Sequence, residues 1–378
     1  MRRADIVVIG GGIAGISAAA RFAQRAETIL LERESALGYH SSGRSATFYH
    51  FGIGDDAVRG LTAASRHFFA DPPGGEDLPP LWQTKSAMFF ATSETMDQLT
   101  ALETEMRRFS DNISRVGPGE MQAIVPVLKV GDGGAVAGLV DTGGRKLDAD
   151  LLLQTNARAL RAAGGEICFH AGVTGIAHDG SDWIVDTAGE SYAARVIVNA
   201  AGAWADELAV MAGVLPLGLI PLRRTIIGFD PPPGLDVSDW PFLKTVFDDG
   251  FYMLPDAGRL LASPMDVTPS AACDVQPEDY ETALAAWRVE EATTLSVERI
   301  ALKWAGLRSF VADKVPTAGF APDAPGFFWL AGQGGCGLQT SPAMALASEA
   351  LLFGLPWPEQ LREHGVEPHQ IRPERLRV

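Results

Sequence analysis

Three glycines near the amino terminus have the types and the spacing needed to hold a phosphate-containing cofactor. Gly10, Gly12 and Gly15 form a G-x-G-x-x-G pattern between the apolar run 6–9 and an alanine-rich helical pattern. Such glycines permit a tight turn, a close approach of the backbone to a pyrophosphate, and close packing of the helix on the strand. The N terminus of the helix offers free N–H groups to the phosphates. The pattern predicts a dinucleotide site.

The residues that follow favour FAD over NAD as this dinucleotide. A second apolar run, 28–31, ends at Glu32, whose carboxylate would accept hydrogen bonds from a ribose and disfavour a 2′-phosphate. The segment SSGRSAT at 41–47 has small, hydroxyl-bearing residues suited to lie beside a long cofactor. Two later segments, 196–206 and 326–340, each combine an apolar strand, a glycine turn and the start of a helix. Three such separated units suit an extended, non-covalently bound FAD.

Composition excludes several other classes of protein. The 378 residues carry a net charge of −16 with no basic stripe, so a nucleic-acid partner is not expected. The three cysteines are far apart in the sequence, which favours a reducing compartment and argues against a structural metal site. The sequence contains no run of about 18 apolar residues, the length that a transmembrane helix requires. We therefore expect a cytoplasmic location.

Five ordered motifs resemble one flavoprotein superfamily. They are the glycine motif with Glu32-Arg33, GYHSSGRSAT, NAAGAWAD, WAGLRSFVAD and GQGGCGLQTS. Together they resemble the D-amino-acid oxidase and glycine oxidase superfamily over essentially the whole chain, and within it the bacterial FAD-dependent D-arginine dehydrogenases most closely.

The resemblance implies an α/β (α+β) fold with two domains. A Rossmann-like FAD-binding domain would be assembled from residues 1–50, 146–212 and 312–378. A substrate domain built on a mixed, largely antiparallel sheet would take residues 51–145 and 213–311. The residues expected along the cofactor, besides Gly10, Gly12, Gly15 and Glu32, are Ile13, Ala14, Arg33, Ser41, Ser42, Gly43, Arg44, Ser45, Ala46, Val173, Ala201, Gly202, Trp204, Gly332, Gly334, Gly337, Leu338, Gln339 and Thr340.

The chemistry implied by the resemblance is oxidation of an amino acid. A hydride would pass from the substrate Cα to flavin N5, and the imino acid would hydrolyse to a 2-oxo acid and ammonia. The flavin carries the redox chemistry, so the protein mainly positions the substrate. A quinone or dioxygen would be the electron acceptor.

Two arginines match carboxylate-binding positions of the family. Arg308, in AGLRSF, would hold the substrate carboxylate, because a guanidinium presents a planar pair of donors. Arg224, in LRRTII, would be a second pocket arginine, although its neighbour Arg223 leaves the register open.

Three further residues match the substrate pocket of the family. Tyr252 would donate its hydroxyl to the carboxylate, and the backbone carbonyl of Gly335 would accept from the substrate amine. Gln339 lies just beyond the second glycine turn and would stay close to flavin and substrate.

Other pocket positions depart from D-arginine dehydrogenase. Ala87 takes the place of the acid that pairs with the substrate guanidinium, Phe48 replaces a histidine near the amine, and Ile53 replaces a lid tyrosine. His50 would be the one polar exception. Burying an unpaired guanidinium costs several kcal/mol, so these changes predict a D-amino acid with a neutral, apolar side chain as substrate.

Other readings remain open at this point. The loss of a histidine beside the amine leaves room for a secondary amine, such as an N-alkyl amino acid or an imino acid. A 2-hydroxy-acid dehydrogenase is a further possibility, weakened because Phe48 is not a base. A non-catalytic flavoprotein subunit is a fourth reading. The sequence indicates neither the electron acceptor nor the oligomeric state.

Overall fold

The strands fall into two large sheets and one small one. The computed structural model describes residues 1–72 and 79–376. Its strands, in chain order, are β1 (Arg2–Ile9), β2 (Thr28–Leu31), β3 (Phe48–Tyr49), β4 (Trp82–Thr84), β5 (Ala87–Ala91), β6 (Ile113–Val116), β7 (Ala137–Asp141), β8 (Arg145–Leu147), β9 (Glu166–Cys168), β10 (Val173–His178), β11 (Trp183–Thr187), β12 (Ser191–Asn199), β13 (Ile220–Phe229), β14 (Phe242–Thr245), β15 (Tyr252–Asp256), β16 (Arg259–Ser263), β17 (Thr268–Pro269), β18 (Leu302–Phe310), β19 (Thr317–Phe320) and β20 (Phe327–Ala331).

Helices cover the first sheet and flank the second. They are α1 (Ile13–Phe22), α2 (Asp56–Ala70), α3 (Met96–Arg107), α4 (Pro118–Ile124), α5 (Ala149–Ala162), α6 (Ala205–Met211), α7 (Asp279–Ala292), α8 (Gly337–Phe353), α9 (Glu359–Arg362) and α10 (Pro368–Ile371). Side chains cap two of them: Asp55 accepts from the Val58 N–H and Asp148 from the Leu151 N–H.

The first sheet is parallel at its centre. Strand β1 pairs in parallel with β2 on one side and β12 on the other, and β12 also pairs in parallel with β20. Strands β10, β11 and β12 form an antiparallel meander at one side. Buried apolar residues on both faces of β1 belong to two separate clusters, as expected of a strand covered on both sides. This confirms the Rossmann-like α/β prediction.

The second sheet is mostly antiparallel. Strand β13 pairs with β18 over nine residue pairs, from Ile220 with Phe310 to Gly228 with Leu302. Strand β14 pairs in parallel with β5, which joins β5, β6 and β7 to the later strands. A mixed sheet with α7 against it therefore forms the second layer, as the sequence predicts.

The strands of the two sheets come from the ranges proposed for the two domains. Strands of the first sheet lie in residues 1–50, 146–212 and 312–378, and those of the second lie in 51–145 and 213–311. Strands β3, β8 and β4 form a third, small sheet where these ranges meet.

No helix within the described residues is long and apolar enough to cross a membrane. In the same part of the chain, no group of three or more His, Cys, Asp or Glu side chains is placed to hold a metal ion.

Candidate functional site

A glycine turn joins β1 to α1 at the carboxyl end of the first sheet. Gly10 has φ 112°, a left-handed conformation that favours glycine, and a Cβ there would lie 2.4 Å from the carbonyl oxygen of Ala200. Gly12, in contrast, has room: a Cβ would meet only Ser42 Oγ, at 3.5 Å. The Ile13 N–H donates to the same Ser42 Oγ at 2.9 Å. Backbone is therefore exposed beside the N terminus of α1, where a pyrophosphate would bind.

Glu32 is held rigidly at the end of β2. Its Oε2 accepts from the Gly11 N–H at 2.6 Å, and its Oε1 accepts from the Glu34 N–H at 2.8 Å. The side chain is buried and lines the groove beside the glycine turn. Each oxygen retains a lone pair for a second donor, so the carboxylate is placed to receive ribose hydroxyls.

The groove along this edge has a volume of about 360 Å³ and extends to the second glycine turn. Eighteen of the residues predicted to bind the cofactor line it: Gly10, Gly12, Ile13, Ala14, Glu32, Arg33, Ser41, Ser42, Arg44, Ser45, Val173, Ala201, Gly202, Trp204, Gly332, Gly334, Gly337 and Leu338.

Five other predicted cofactor residues do not line the groove. A Cβ on Gly15 would lie 1.9 Å from the Gly10 oxygen, and one on Gly43 would lie 2.6 Å from the Gly38 oxygen, so both glycines serve close backbone packing. Thr340 is fully buried, and its hydroxyl donates to the Cys336 carbonyl. Ala46 and Gln339 line the neighbouring cavity instead.

The groove fits an extended dinucleotide with a polar ring at its far end. Gln333 lines it in the second glycine turn, and both polar atoms of its amide, Nε2 and Oε1, are buried without a partner in the described part of the chain. A buried amide in this state requires both an acceptor and a donor from a ligand. The pattern of glycines did not reveal Gln333, although it lies within the motif.

A second, smaller cavity of about 60 Å³ adjoins the groove. The two spaces share Ser45, Arg224, Arg308, Gly335 and Leu338 in their walls. Five more of the predicted substrate and catalytic residues line the cavity, namely Phe48, His50, Ile53, Tyr252 and Gln339, and so does Ala46 from the cofactor set.

Arg308 lies on β18 between the groove and the cavity. Among the described residues, none makes a hydrogen bond or an ion pair with its guanidinium at the distances that define such contacts. A Cβ on Gly335 would lie 2.8 Å from Arg308 Nη1, so the glycine leaves the space that the guanidinium occupies. A partly buried guanidinium without a protein partner is a site for an anion.

The two adjacent arginines of β13 point to opposite faces of the sheet. Arg223 is buried against α7, where it pairs with Glu278 and, at 2.7 Å, with Glu281. Arg224 lines the cavity, and its Nε donates to the carbonyl of Asp266 at 2.8 Å. Burial and the nearby Arg308 lower the Arg224 pKa to about 9. Of the two arginines, Arg224 is therefore the one that lines the cavity.

Tyr252 brings an unpartnered hydroxyl to the cavity. Its ring is buried and stacks on Phe242 with centroids 5.4 Å apart. Its hydroxyl oxygen has no hydrogen-bond partner within the described residues. Because an unpaired buried hydroxyl costs free energy, a ligand that accepts from it gains affinity.

His50 is a neutral imidazole in the cavity wall. Its Nδ1 accepts from the Gly52 N–H at 3.0 Å, and burial together with Lys244 and Arg308 lowers its pKa to about 3. With Nδ1 as an acceptor, the proton is assigned to Nε2. His50 is therefore a hydrogen-bond donor and not a base at neutral pH.

Lys244 also lines the cavity, and the sequence analysis missed it. It lies on β14, between the buried residues Leu243 and Thr245, and its Nζ donates to the Thr245 carbonyl at 3.0 Å. Burial lowers its pKa to about 8. The signal was a lysine inside an apolar run, since lysine is rarely buried without a role.

Ala87 corrects one expectation about the pocket. It is fully buried on β5 and is not part of the cavity wall. Its partner in the parallel ladder is Phe242, which stacks on Phe48 with centroids 4.8 Å apart. These two rings, and not position 87, face the cavity because a methyl group is too short to reach past them.

Comparisons with known proteins agree with this geometry. Glycine oxidase of Geobacillus kaustophilus is 25% identical over 377 residues, which cover 91% of each chain. Its crystal structure has a TM-score of 0.81 and covers 94% of this chain and 96% of its own. L-α-glycerophosphate oxidase of Mycoplasma pneumoniae, with FAD bound, has a TM-score of 0.84 at 19% identity and covers 93% of this chain and 95% of its own.

A more distant relative is much longer. Human mitochondrial dimethylglycine dehydrogenase is 27% identical over 231 residues, which are 60% of this chain and 26% of that protein.

One family model spans nearly the whole chain. The family described as "DAO: FAD dependent oxidoreductase" matches residues 5–349, which include the groove, the cavity and both large sheets. The chain therefore belongs to the DAO family of FAD-dependent oxidoreductases.

Proposed function

We propose that the protein oxidises the Cα–N bond of an α-amino acid to an imino acid, which water then hydrolyses to a 2-oxo acid and ammonia. One observation carries the proposal: the Arg308 guanidinium and the Tyr252 hydroxyl, neither of which has a hydrogen-bond partner among the described residues, share a small cavity that adjoins the FAD groove. A carboxylate accepts hydrogen bonds from both donors.

The residues of the cavity position the substrate. Arg308 and Tyr252 hold the α-carboxylate, and the Gly335 carbonyl accepts from the amine, which directs Cα towards the groove. FAD, held by the glycine turns and Glu32 that line the groove, would supply the acceptor for the hydride that leaves Cα. His50 is neutral and donates from Nε2, so it orients the substrate and does not remove a proton.

The D enantiomer is the proposed substrate because the sequence motifs resemble those of D-amino-acid dehydrogenases. D-arginine is not the substrate that this cavity favours. Lys244 adds a positive charge to the wall, and none of the described residues that line the cavity is an Asp or a Glu. Lys244 also changes the expectation of a wholly apolar side-chain pocket, since one wall now carries a cation.

A secondary amine is the second candidate substrate. Phe48 presents a ring to the cavity where a polar group would restrict the amine to a primary one. Glycine oxidase and dimethylglycine dehydrogenase are similar proteins whose names indicate a primary and a tertiary amine, so similar proteins act on amines with fewer and with more substituents than a secondary amine has. We therefore keep both primary and secondary amines within the proposal.

Anaerobic reduction of the flavin tests the function. The purified holoenzyme is mixed with D- and L-amino acids, N-methyl amino acids and 2-hydroxy acids, and the loss of visible flavin absorbance is followed. We expect reduction by amino acids and none by 2-hydroxy acids. Reduction by a 2-hydroxy acid alone, or by none of the panel, would overturn the proposal. Reoxidation with dioxygen and with a soluble quinone then identifies the class of electron acceptor.

A further inference from the structure

The cavity contains more positive charge than one carboxylate neutralises. Arg224, Lys244 and Arg308 all line it. Asp266 lies near Arg224, 3.8 Å from Nε, and its carboxylate also accepts from the backbone and hydroxyl of Thr225. Arg224 thus has a nearby counter-charge. The α-carboxylate of a substrate would neutralise Arg308, which leaves Lys244 unmatched.

Lys244 forms no ion pair with a carboxylate in the described part of the chain. Its one hydrogen bond goes to the Thr245 carbonyl, and within the described residues no carboxylate lies within 4 Å of its Nζ. Asp248, whose charge raises the Lys244 pKa, is exposed to solvent. The ammonium group therefore retains donors for a ligand.

Another partly buried lysine, Lys146, differs from Lys244 because it is paired with a carboxylate. Lys146 Nζ lies 3.1 Å from Asp256 Oδ1 and donates to the Ala46 carbonyl. It does not line the cavity. Of these two lysines, the one that lines the cavity is the one without a carboxylate partner among the described residues.

We propose that the substrate carries a second carboxylate, which Lys244 binds while Arg308 binds the first. This inference rests on the proposed amino-acid oxidation and names its substrate class, an amino dicarboxylate. The bonds formed and broken are unchanged, because the second carboxylate only anchors the substrate. The apolar rings of Phe48 and Phe242 would surround the carbon chain between the two anchors.

The second carboxylate has two chemical sources. It is on the side chain in D-aspartate and D-glutamate, and on the nitrogen in an N-carboxymethyl amino acid. Each source has an uncharged counterpart of similar size: D-asparagine and D-glutamine for the first, and the N-carbamoylmethyl amide for the second.

The test measures binding and reduction separately. Calorimetry on the oxidised holoenzyme gives Kd for glutarate and for its monoamide, neither of which has an amine to oxidise. Anaerobic reduction gives the rates for the amino dicarboxylates and for their amides. We expect the diacids to bind at least about tenfold more tightly than the amides, as a charge-assisted hydrogen bond predicts.

Variants assign the preference to Lys244. Lys244→Met should remove the preference for the diacid and change the Kd of the monoamide by less than about threefold. Lys244→Arg should retain the preference, and Lys146→Met is the control in which it should be unchanged. The wild-type comparison of diacid with amide does not depend on the folding of any variant.

The outcomes separate this inference from the proposed function. Equal binding of diacid and amide by the wild type, or a preference that survives Lys244→Met, would overturn the second-carboxylate site while amino-acid oxidation stands. If no amino acid of either kind reduces the flavin, the proposed function fails first. A faster reaction of the N-linked diacids than of D-aspartate and D-glutamate would assign the second carboxylate to the nitrogen.

Discussion

The FAD groove and the substrate cavity adjoin each other, yet they are built by different means. The groove depends on backbone: glycine turns, helix N termini and one carboxylate held by two backbone N–H groups. The cavity depends on side chains from distant strands, namely Arg224 on β13, Lys244 on β14, Tyr252 on β15 and Arg308 on β18.

The two regions differ in which of their polar groups are already satisfied before a ligand binds. In the groove, most polar groups are either satisfied or belong to the backbone, so it is formed before any ligand binds. In the cavity, and within the described residues, the Tyr252 hydroxyl and the Arg308 guanidinium lack hydrogen-bond partners and Lys244 lacks a carboxylate partner, so the ligand completes the structure. We therefore expect mutations in the groove to affect mainly the free energy of unfolding, and mutations in the cavity to affect mainly the affinity for the substrate.

The largest effect is expected at Gly15. A Cβ there would lie 1.9 Å from the Gly10 oxygen, so Gly15→Ala should lower the free energy of unfolding by roughly 3 kcal/mol or more. Gly12→Ala is the matched control, since its Cβ has room and φ is −70°. It should retain apoprotein stability and weaken FAD binding. Thermal unfolding and FAD titration of the apoproteins measure both, and equal stability of the two variants would refute the distinction.

The next effect concerns the carboxylate anchor. Arg308→Lys should raise substrate Kd about ten- to a hundredfold, since the loss of a paired charged contact costs about 1.5–3 kcal/mol. FAD content and the melting temperature should not change, because the Arg308 guanidinium has no hydrogen bond or ion pair to lose within the described residues. Calorimetry with a monocarboxylate checks the affinity. An unchanged Kd would show that another group binds the carboxylate.

The pH dependence of diacid binding is the third prediction. Lys244, with a pKa of about 8, loses its charge above that pH, so the Kd of glutarate should rise above pH 8 until the preference for the diacid, at least about tenfold, is lost. His50 is neutral throughout, and Arg224 titrates only near pH 9. Lys244→Met should give a flat profile from pH 6 to about 8.5. A wild-type profile that stays flat to pH 9 would contradict a lysine anchor.

The smallest effect is a gain in stability. The folded protein lowers the Lys244 pKa from 10.5 to about 8, so the unfolded state binds the proton more tightly. The resulting destabilisation is complete below pH 8 and disappears as the pH rises towards 10.5. Lys244→Met should therefore raise the free energy of unfolding at pH 7 by about 1 kcal/mol. Chemical denaturation at pH 7 and pH 10 measures the difference, and a less stable variant at pH 7 would indicate a structural lysine.

The sequence predicts the groove well because its signals are local. The glycine spacing, the apolar strands and the acid at Glu32 act within about 30 residues, the scale on which backbone turns are specified. The same patterns also predicted the residue range of β2 and the approximate start of α8. Gln333 was missed because a motif of glycines does not indicate which side chain faces the ligand.

The cavity is harder to predict because its residues meet through pairing across strands. Whether Arg223 or Arg224 faces the ligand depends on the strand register, which the sequence leaves open. Ala87 was assigned to the wall because neither its ladder partner Phe242 nor the stacked ring of Phe48 is visible in a linear sequence. Lys244 reaches the cavity from a strand of four residues that carries no motif.

The pairing of β1 has a consequence for how the protein is made. Its neighbour β12 begins at Ser191, and the next strand of the sheet, β20, ends at Ala331. A ribosome adds residues at about 5–20 per second, so β1 waits roughly 15 to 60 s for this sheet to be completed. From the synthesis of β12 until that of β20, the edge of β12 at residues 197–199 is unpaired, and an unpaired edge favours aggregation. The glycine turn that follows β20 lines the FAD groove, so the groove is complete only once this part of the chain has been made, and FAD bound there then stabilises the folded chain.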